Sequence, residues 1–433
     1  MATGSSGGSL HLFRDREFLA LASTAFARAQ AYSTILIALA LYADIFQTTS
    51  TVEGLFGTAF ALIQLVIVLP MGRYIDLNNS KHFLLIGLVL NVVVFVGFSM
   101  VQTVEHVILV RILQGVGASI LWITGSAVVG EISPDDSRGL WLGTYNQVGA
   151  FSSLAGDVFG GLLLYLYGFE LTYAVLIVVT TFATAMVFLN LRDNPGGQAD
   201  PEEATGMETF KNLLDRAAIR ALVVFRLAFS VGKMAVIIFL PIYARTEFGI
   251  NPFAIGGILA GGKLTKSLLQ GKLGELTDQY GNHRLFIFFG ALIYGLGTAL
   301  IPLAEFAHTV FPSLTVGAFG SSMTLPPAFF SLFLAYGVLG VGDSFRLPAS
   351  MTLFVEEGEY FDAVAGSMSL RSIAWKIGQV SGPVAVGYIW DQTSVFGAFW
   401  TAAGFLVVSS IVFLVLYRSE PAPETAIGAT PSD

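Results

Sequence analysis

The chain has 433 residues, 54% of them hydrophobic and only 12% charged, about half the charged share of a soluble domain. A water-soluble fold cannot hide that much apolar surface, whereas lipid solvates it, and a net charge of −8 argues against nucleic-acid binding. With no cysteine and five scattered histidines, disulfides, thiolate metal sites and HExxH-type zinc sites are excluded.

The N-terminal stretch MATGSSGGSLHLFRDRE has no apolar core followed by a cleavage site, so no removable signal is expected. Apolar runs of membrane-spanning length then recur between charge and turn clusters. They place six helices at about 17–43, 52–75, 82–103, 106–131, 139–166 and 171–191. Residues 192–216 (RDNPGGQADPEEATGMETFKNLLDR) read as a polar linker. Six further helices follow at about 218–243, 252–276, 284–305, 328–355, 364–389 and 395–417, and the tail 419–433 reads as disordered. The expected organisation is a six-helix bundle over 1–191, a cytoplasmic linker over 192–216 and a second six-helix bundle over 217–418.

Lys and Arg set the expected orientation. Twelve of them, from Arg14 and Arg16 to Arg418, fall on one set of loops and ends, while the opposite set holds Arg245 alone. Both termini and the linker are therefore expected in the cytoplasm, in a multi-pass protein of the plasma membrane. That arrangement requires an even number of crossings.

The two halves repeat. Gly72-Arg-Tyr-Ile-Asp76 after the second helix matches Gly274-Glu-Leu-Thr-Asp278 after the eighth. Gly115-Val-Gly-Ala-Ser119 in the fourth helix matches Gly340-Val-Gly-Asp-Ser344 in the tenth, and Gly156 in the fifth matches Gly382 in the eleventh. The offset lengthens between the first and second matches, which fits a longer loop near 306–327. A repeated set of six helices points to a transporter built from two related halves.

These residues resemble the major facilitator superfamily over nearly the whole chain. Its loop signature, roughly G-x-L-x-D-x-x-G-[RK]-[RK], is matched by Gly72, Asp76 and Lys81, with Tyr74 for Leu, Leu77 for Arg and Asn79 for the second Gly. Asn tolerates left-handed backbone, so Asn79 is expected to preserve the turn. The second copy is closer, with Gly274, Leu276, Asp278, Gly281 and Arg284. Arg111-Ile-Leu-Gln114-Gly115-Val-Gly117 is similar to the family's R-x-x-Q-G-x-G motif, whose Arg is implied in proton coupling. The antiporter branch carries G-x-x-x-G-P-x-x-G-G in the fifth helix; here Ser152, Gly156, Asp157, Gly160 and Gly161 stand there, and Asp replaces Pro. The eleventh helix carries Gly378, Gly382 and Pro383. The resemblance implies a twelve-helix all-α membrane fold. It implies that Gly72, Asp76, Gly274, Asp278, Arg284, Gly156, Gly160, Gly382 and Pro383 act in gating, the glycines by letting helices approach closely. It also implies a cavity lined by helices 1, 4, 7 and 10.

The charges inside the helices carry the functional expectation. Arg28, Arg111, Arg226, Lys233, Lys263, Lys266, Arg346, Arg371 and Lys376 fall within spans, joined by Asp157 and Asp343. Each charge at mid-bilayer costs at least about 2.5–3.5 kcal/mol, so together they imply a wet path. Lys263 and Lys266 share a face of the eighth helix, Arg226 and Lys233 a face of the seventh, and Arg28 and Tyr32 a face of the first. With nine bases against two acids, an anionic solute is the missing countercharge. The expected binding set is Arg28, Tyr32, Arg226, Lys233, Lys263, Lys266, Arg346, Arg371 and Lys376, with aromatic lining from Trp122, Trp375 and Tyr145.

Arg111, Asp157 and Asp343 are the proton-coupling candidates, Asp157 foremost, because a carboxyl away from water suits a proton carrier. Structural readings stand beside these. Arg111 would brace its helix, Asp157 would pair with Arg111, Asp343 would neutralise Arg346, and the lysines would snorkel to water. No nucleophile–base set and no Walker-type loop appears, so neither an enzyme, an ATP-driven pump nor a cofactor is expected. The expected function is alternating-access secondary transport of a small anionic solute, driven by protons, by a monomer in the lipid bilayer. Two other readings stay open: proton-coupled export of drugs or amphipathic compounds, and a membrane sensor or lipid-handling protein without solute flux.

Overall fold

Hydrocarbon offers a backbone no water, so the apolar segments must close their own hydrogen bonds as helices. The computed structural model describes residues 9–76, 78–134, 137–195, 207–318, 321–360 and 363–417, and it is an all-α membrane fold. After a 3₁₀ turn at Ser9–Arg14 come α1 (Arg16–Phe46), α2 (Ser50–Asp76), α3 (Ser80–Ser99) and α4 (Val104–Ile132). α5 (Arg138–Ala155) passes through one π-helical turn, Gly156–Gly160, into α6 (Gly161–Asn190). A short α7 (Met207–Asp215) precedes α8 (Ala217–Thr246), α9 (Pro252–Tyr280) and α10 (His283–Leu300). A 3₁₀ segment (Ile301–Thr309) and a hairpin of β1 (Leu314–Ala318) and β2 (Ser321–Leu325) lead to α11 (Pro327–Glu359), α12 (Val364–Gln392) and α13 (Val395–Leu416).

Among the described residues, nine helical stretches are long and apolar enough to cross a membrane. One of them, the 53-residue stretch Arg138–Asn190, holds two crossings, because Gly168 (φ 67, ψ −161) reverses it inside α6. Only glycine takes that backbone state without strain, which is why a single residue replaces the loop expected at 167–170. α9 and α12, 29 residues each, are long enough but more polar. The total is the twelve crossings of the sequence pattern.

Three local expectations change. Asn79 is not left-handed: at φ −65, ψ 107 it caps α3, its Oδ1 accepting from Lys81 N at 3.0 Å and from Asn194 N at 3.0 Å. In the second copy Gly281 is left-handed (φ 63), so the two turns share a role but not a conformation. The long loop near 306–327 is not plain loop but the 3₁₀ segment and hairpin, paired from Leu314↔Leu325 to Ala318↔Ser321. The linker contains α7, while residues 196–206 and the tail 419–433 lie outside the described residues.

Two compact units divide the chain, and not at one point. The first gathers the residues up to Thr48, those from Ala59 to the linker, and Asn251–Gly257. The second gathers Thr49–Thr58 and the remainder beyond the linker. Boundaries at 1–191 and 217–418 do not contain this exchange of the first turns of α2 and α9.

In the first unit α1 packs against α5, the π turn and α6, and α3 packs against α4 and α6. Gly156 and Gly160 make that approach possible: a Cβ on either would meet the Gln30 backbone or the Thr34 side chain of α1. Tyr42 Oη closes a buried polar contact by donating to Phe98 O at 2.8 Å, 2.9 Å from Tyr173 Oη. In the second unit α10 packs on α11, and α8 on α12 and α13. A Cβ at Gly342 of α11 would meet Tyr294 N of α10 at 2.6 Å, and one at Gly382 of α12 would meet Val231 O of α8 at 2.8 Å. Pro383 opens the ladder of α12, and in that turn the Val380 carbonyl accepts from Thr58 Oγ1 at 2.7 Å.

Candidate functional site

Small residues decide where the polar side chains of the second unit meet. With Gly290 and Gly342 seating α10 on α11, and Gly262 and Gly340 seating α9 on α11, Asp343 is carried into the unit's interior. Three cations meet its carboxylate. Lys233 of α8 pairs with Oδ2, Lys266 of α9 lies 3.5 Å from the same oxygen, and Arg346, one turn along α11, donates to Oδ1 at 2.8 Å. Arg346 is buried and its guanidinium lies 3.8 Å over the Phe229 ring; Lys233 Nζ is 5.1 Å from the Tyr294 ring. Arg226, also buried, is stacked 4.3 Å over Trp375. Trp375 is held in turn because its carbonyl accepts from Ser230 Oγ at 2.7 Å. Arg371 stands one turn before Trp375 on α12. Three of the expected binding cations thus converge on one carboxylate. Lys263 and Lys376 are half-buried on α9 and α12.

The first unit is built differently. Arg28 and Tyr32, one turn apart on α1, open onto a cavity of about 310 Å³ also lined by Trp122, Tyr145, Asn146 and Ser153. The Arg28 guanidinium lies 4.3 Å over the ring of Trp122, a residue 54% exposed that also lines the cavity. A flat guanidinium on an indole keeps its N–H edge available to a carboxylate or phosphate. Arg111 is wholly buried, lies 4.3 Å over Phe60 and donates to Gln114 Oε1 at 2.6 Å. Asp157 is wholly buried in the π turn beside α1, and its backbone carbonyl is where a Cβ on Gly256 would collide. π turns inside helices frequently mark functional positions.

The expected gating residues divide. Gly156, Gly160 and Gly382 are close-approach positions, and Pro383 sits at the opened turn of α12. Gly274 meets Pro348 only at ordinary contact, 3.7 Å. Asp278 and Arg284 are exposed, and Asp278 makes no hydrogen bond or ion pair among the described residues. Gly72 and Asp76 end α2 where side chains lie outside the described residues.

Two polar groups escaped the sequence reading. Arg216, read as a loop cation, is buried in an ion pair with Glu357 of α11, 4.4 Å over the Tyr360 ring, and Tyr417 Oη donates to the same carboxylate at 3.3 Å. Placing the tenth span at 328–355 left Glu357 just outside; the run Phe-Val-Glu-Glu-Gly-Glu was the available signal. Asp391, at the end of α12, caps the first turn of α2 by accepting from Ser50 N and Thr51 N, each at 2.8 Å. Among the described residues no cluster of His, Asp or Glu is arranged to hold a metal.

Known proteins agree with this architecture. The Major Facilitator Superfamily model matches residues 21–329 and again 227–432. An uncharacterised MFS-type transporter of Methanocaldococcus jannaschii is 24% identical over 383 residues, covering 86% of this chain and 91% of that protein. Multidrug resistance protein 1 of Bacillus subtilis is 23% identical over 345 residues, covering 79% and 82%. Among solved structures, a bacterial homologue of the human lysosomal transporter Spinster, inward-facing and unoccupied, superposes with a TM-score of 0.74. It is 14% identical, covering 97% of this chain and all of that one, and it speaks for the fold alone.

Proposed function

The chain belongs to the major facilitator superfamily and is a secondary transporter rather than an enzyme, and from that premise we propose that it carries a small anionic solute by alternating access, coupled to protons. One observation carries the reading: in the second unit Lys233, Lys266 and Arg346 converge on the carboxylate of Asp343, and Arg226 lies over Trp375, one turn along α12 from Arg371. Three cations already divide that carboxylate. An arriving carboxylate or phosphate supplies charge the cluster lacks, and Arg226, flat on Trp375, presents its edge for a bidentate grip. In the first unit Arg28 on Trp122 offers a further guanidinium with an aromatic shelf, suited to an anion that also carries an apolar part.

Asp343 then serves as resident counterion, released from the cations when cargo takes its place, and Asp157 with Arg111 carries the proton coupling. Lys263 and Lys376 line the approach. Gly156, Gly160, Gly382 and Pro383 let the close-packed helices slide. The working molecule is a plasma-membrane monomer with both termini cytoplasmic, as the Lys and Arg bias along the chain supports.

The test is flux into proteoliposomes of a panel of labelled carboxylates and phosphate esters, with and without an inward proton gradient. An anion that accumulates with the gradient, and about tenfold less well at fixed concentration in Lys266→Gln, supports the reading. A second reading, export of drugs or amphipathic compounds against protons, is favoured by the likeness to the Bacillus subtilis protein. It predicts efflux of neutral or cationic amphiphiles unaffected by Lys266→Gln. Absence of counterflow for every solute would favour a sensor or lipid-handling role.

A further inference from the structure

We propose that the flank of the first unit holds one anionic phospholipid, an acyl chain in an apolar groove and the phosphate at Arg14 and Arg16. The groove, about 500 Å³, is lined by Phe13 of the 3₁₀ turn, Leu19 and Phe26 of α1, Val148 of α5, and Val179 and Phe182 of α6. The one hydroxyl on its wall, Ser23 Oγ, is already given to Ala20 O at 2.6 Å. A polar occupant would lose its hydrogen bonds there, so the groove takes hydrocarbon, and lipid is the hydrocarbon around a membrane-spanning chain. From Leu19 to Phe26 the groove follows α1 for roughly 10 Å, at 1.5 Å per residue.

Charge settles which lipid. Arg14 and Arg16 alternate with the groove end, between Phe13 and Leu19, and both are exposed without an ion pair among the described residues. The neighbouring acids are engaged elsewhere. Asp15 Oδ1 accepts from Phe18 N at 2.8 Å, and the Glu17 carboxylate holds Arg192, with Nε at 2.8 and 3.0 Å. Two exposed arginines, one next in sequence to the groove's Phe13 and one a helical turn before its Leu19, match a phosphate above an acyl chain. The mouth is packed by aromatic rings: Phe13 meets Phe18 edge-on at 5.6 Å, and Phe18 meets Trp141 edge-on at 5.3 Å.

Native mass spectrometry of the purified full chain tests this, titrating dioleoylphosphatidylglycerol, dioleoylphosphatidylcholine and glycerol 3-phosphate separately. One phosphatidylglycerol should be retained about tenfold more tightly than phosphatidylcholine, and glycerol 3-phosphate should not bind. The double variant Arg14→Gln/Arg16→Gln should abolish the preference while keeping both lipids. Phe13→Ser/Phe182→Ser should weaken both about tenfold; if it does not fold, Val148→Phe fills the groove and must do the same. Equal binding of the two lipids by the unaltered chain would overturn the proposal. So would lipid binding unchanged by the groove variants, or glycerol 3-phosphate binding as tightly as phosphatidylglycerol, which marks a free-phosphate site.

Discussion

The two units share a helical plan and spend their buried charge differently. In the first, Arg28, Arg111 and Asp157 stand on α1, α4 and the π turn, each guanidinium laid on an aromatic ring. In the second, Lys233, Lys266 and Arg346 converge on Asp343, and Arg226 lies over Trp375. A duplicated scaffold fixes where helices approach, because Gly156 and Gly382 do the same work in both halves. It does not fix which side chains fill the space between helices. That freedom leaves the two halves with different sets of buried charge.

Asp343→Asn should separate the two units most strongly. It leaves three cations without their carboxylate inside the membrane, and removing one partner of a buried ion pair costs about 3–5 kcal/mol. A marked fall in thermal stability in detergent is expected, restored in part by adding Lys233→Gln. Asp157→Asn in the first unit should leave stability far closer to wild type and act on coupling: flux should lose its dependence on the proton gradient.

Next come the close-approach glycines. Gly156→Ala in the first unit and Gly382→Ala in the second should each cost about 1–3 kcal/mol by overpacking, because the new Cβ meets the backbone of α1 or α8. Gly143→Ala, with nothing within 4 Å, should be neutral or mildly stabilising by the same melting assay. Equal effects at all three would mean that helix approach is not what these glycines serve. Helix capping is smaller: Asn79→Ala should cost about 1 kcal/mol, read from the melting of the first unit. Smallest is Arg192→Gln, which breaks an exposed pair with Glu17 and should cost under about 1 kcal/mol, less in high salt.

Much of the fold was legible because lipid enforces a simple code. Twenty apolar residues make a crossing, and the repeat of Gly72–Asp76 in Gly274–Asp278 reveals the duplication. What escaped depends on backbone states and tertiary neighbours. The reversal at Gly168 looks like any glycine between two apolar runs. Asn79 in a glycine's place solved its turn by capping instead of by left-handed backbone. The hairpin at Leu314–Leu325 hid in a stretch whose length alone suggested loop.

For the candidate site, helix periodicity put Lys263 with Lys266 and Arg226 with Lys233 on common faces. Only packing shows Lys266, Lys233 and Arg346 meeting on one carboxylate. The burial of Arg216 with Glu357 was hidden for the same reason, since charges near a span end look solvated until neighbouring helices close over them.

In the proposed function the cation cluster of the second unit receives anionic cargo. Counterflow in proteoliposomes loaded with unlabelled solute tests it most directly, comparing wild type with Arg226→Gln and Lys266→Gln across labelled anions and neutral amphiphiles. The account predicts exchange of at least one anion, with its half-saturation raised about tenfold in each variant and neutral solutes unaffected. Exchange of neutral or cationic amphiphiles alone, at equal rates in all three proteins, would contradict it.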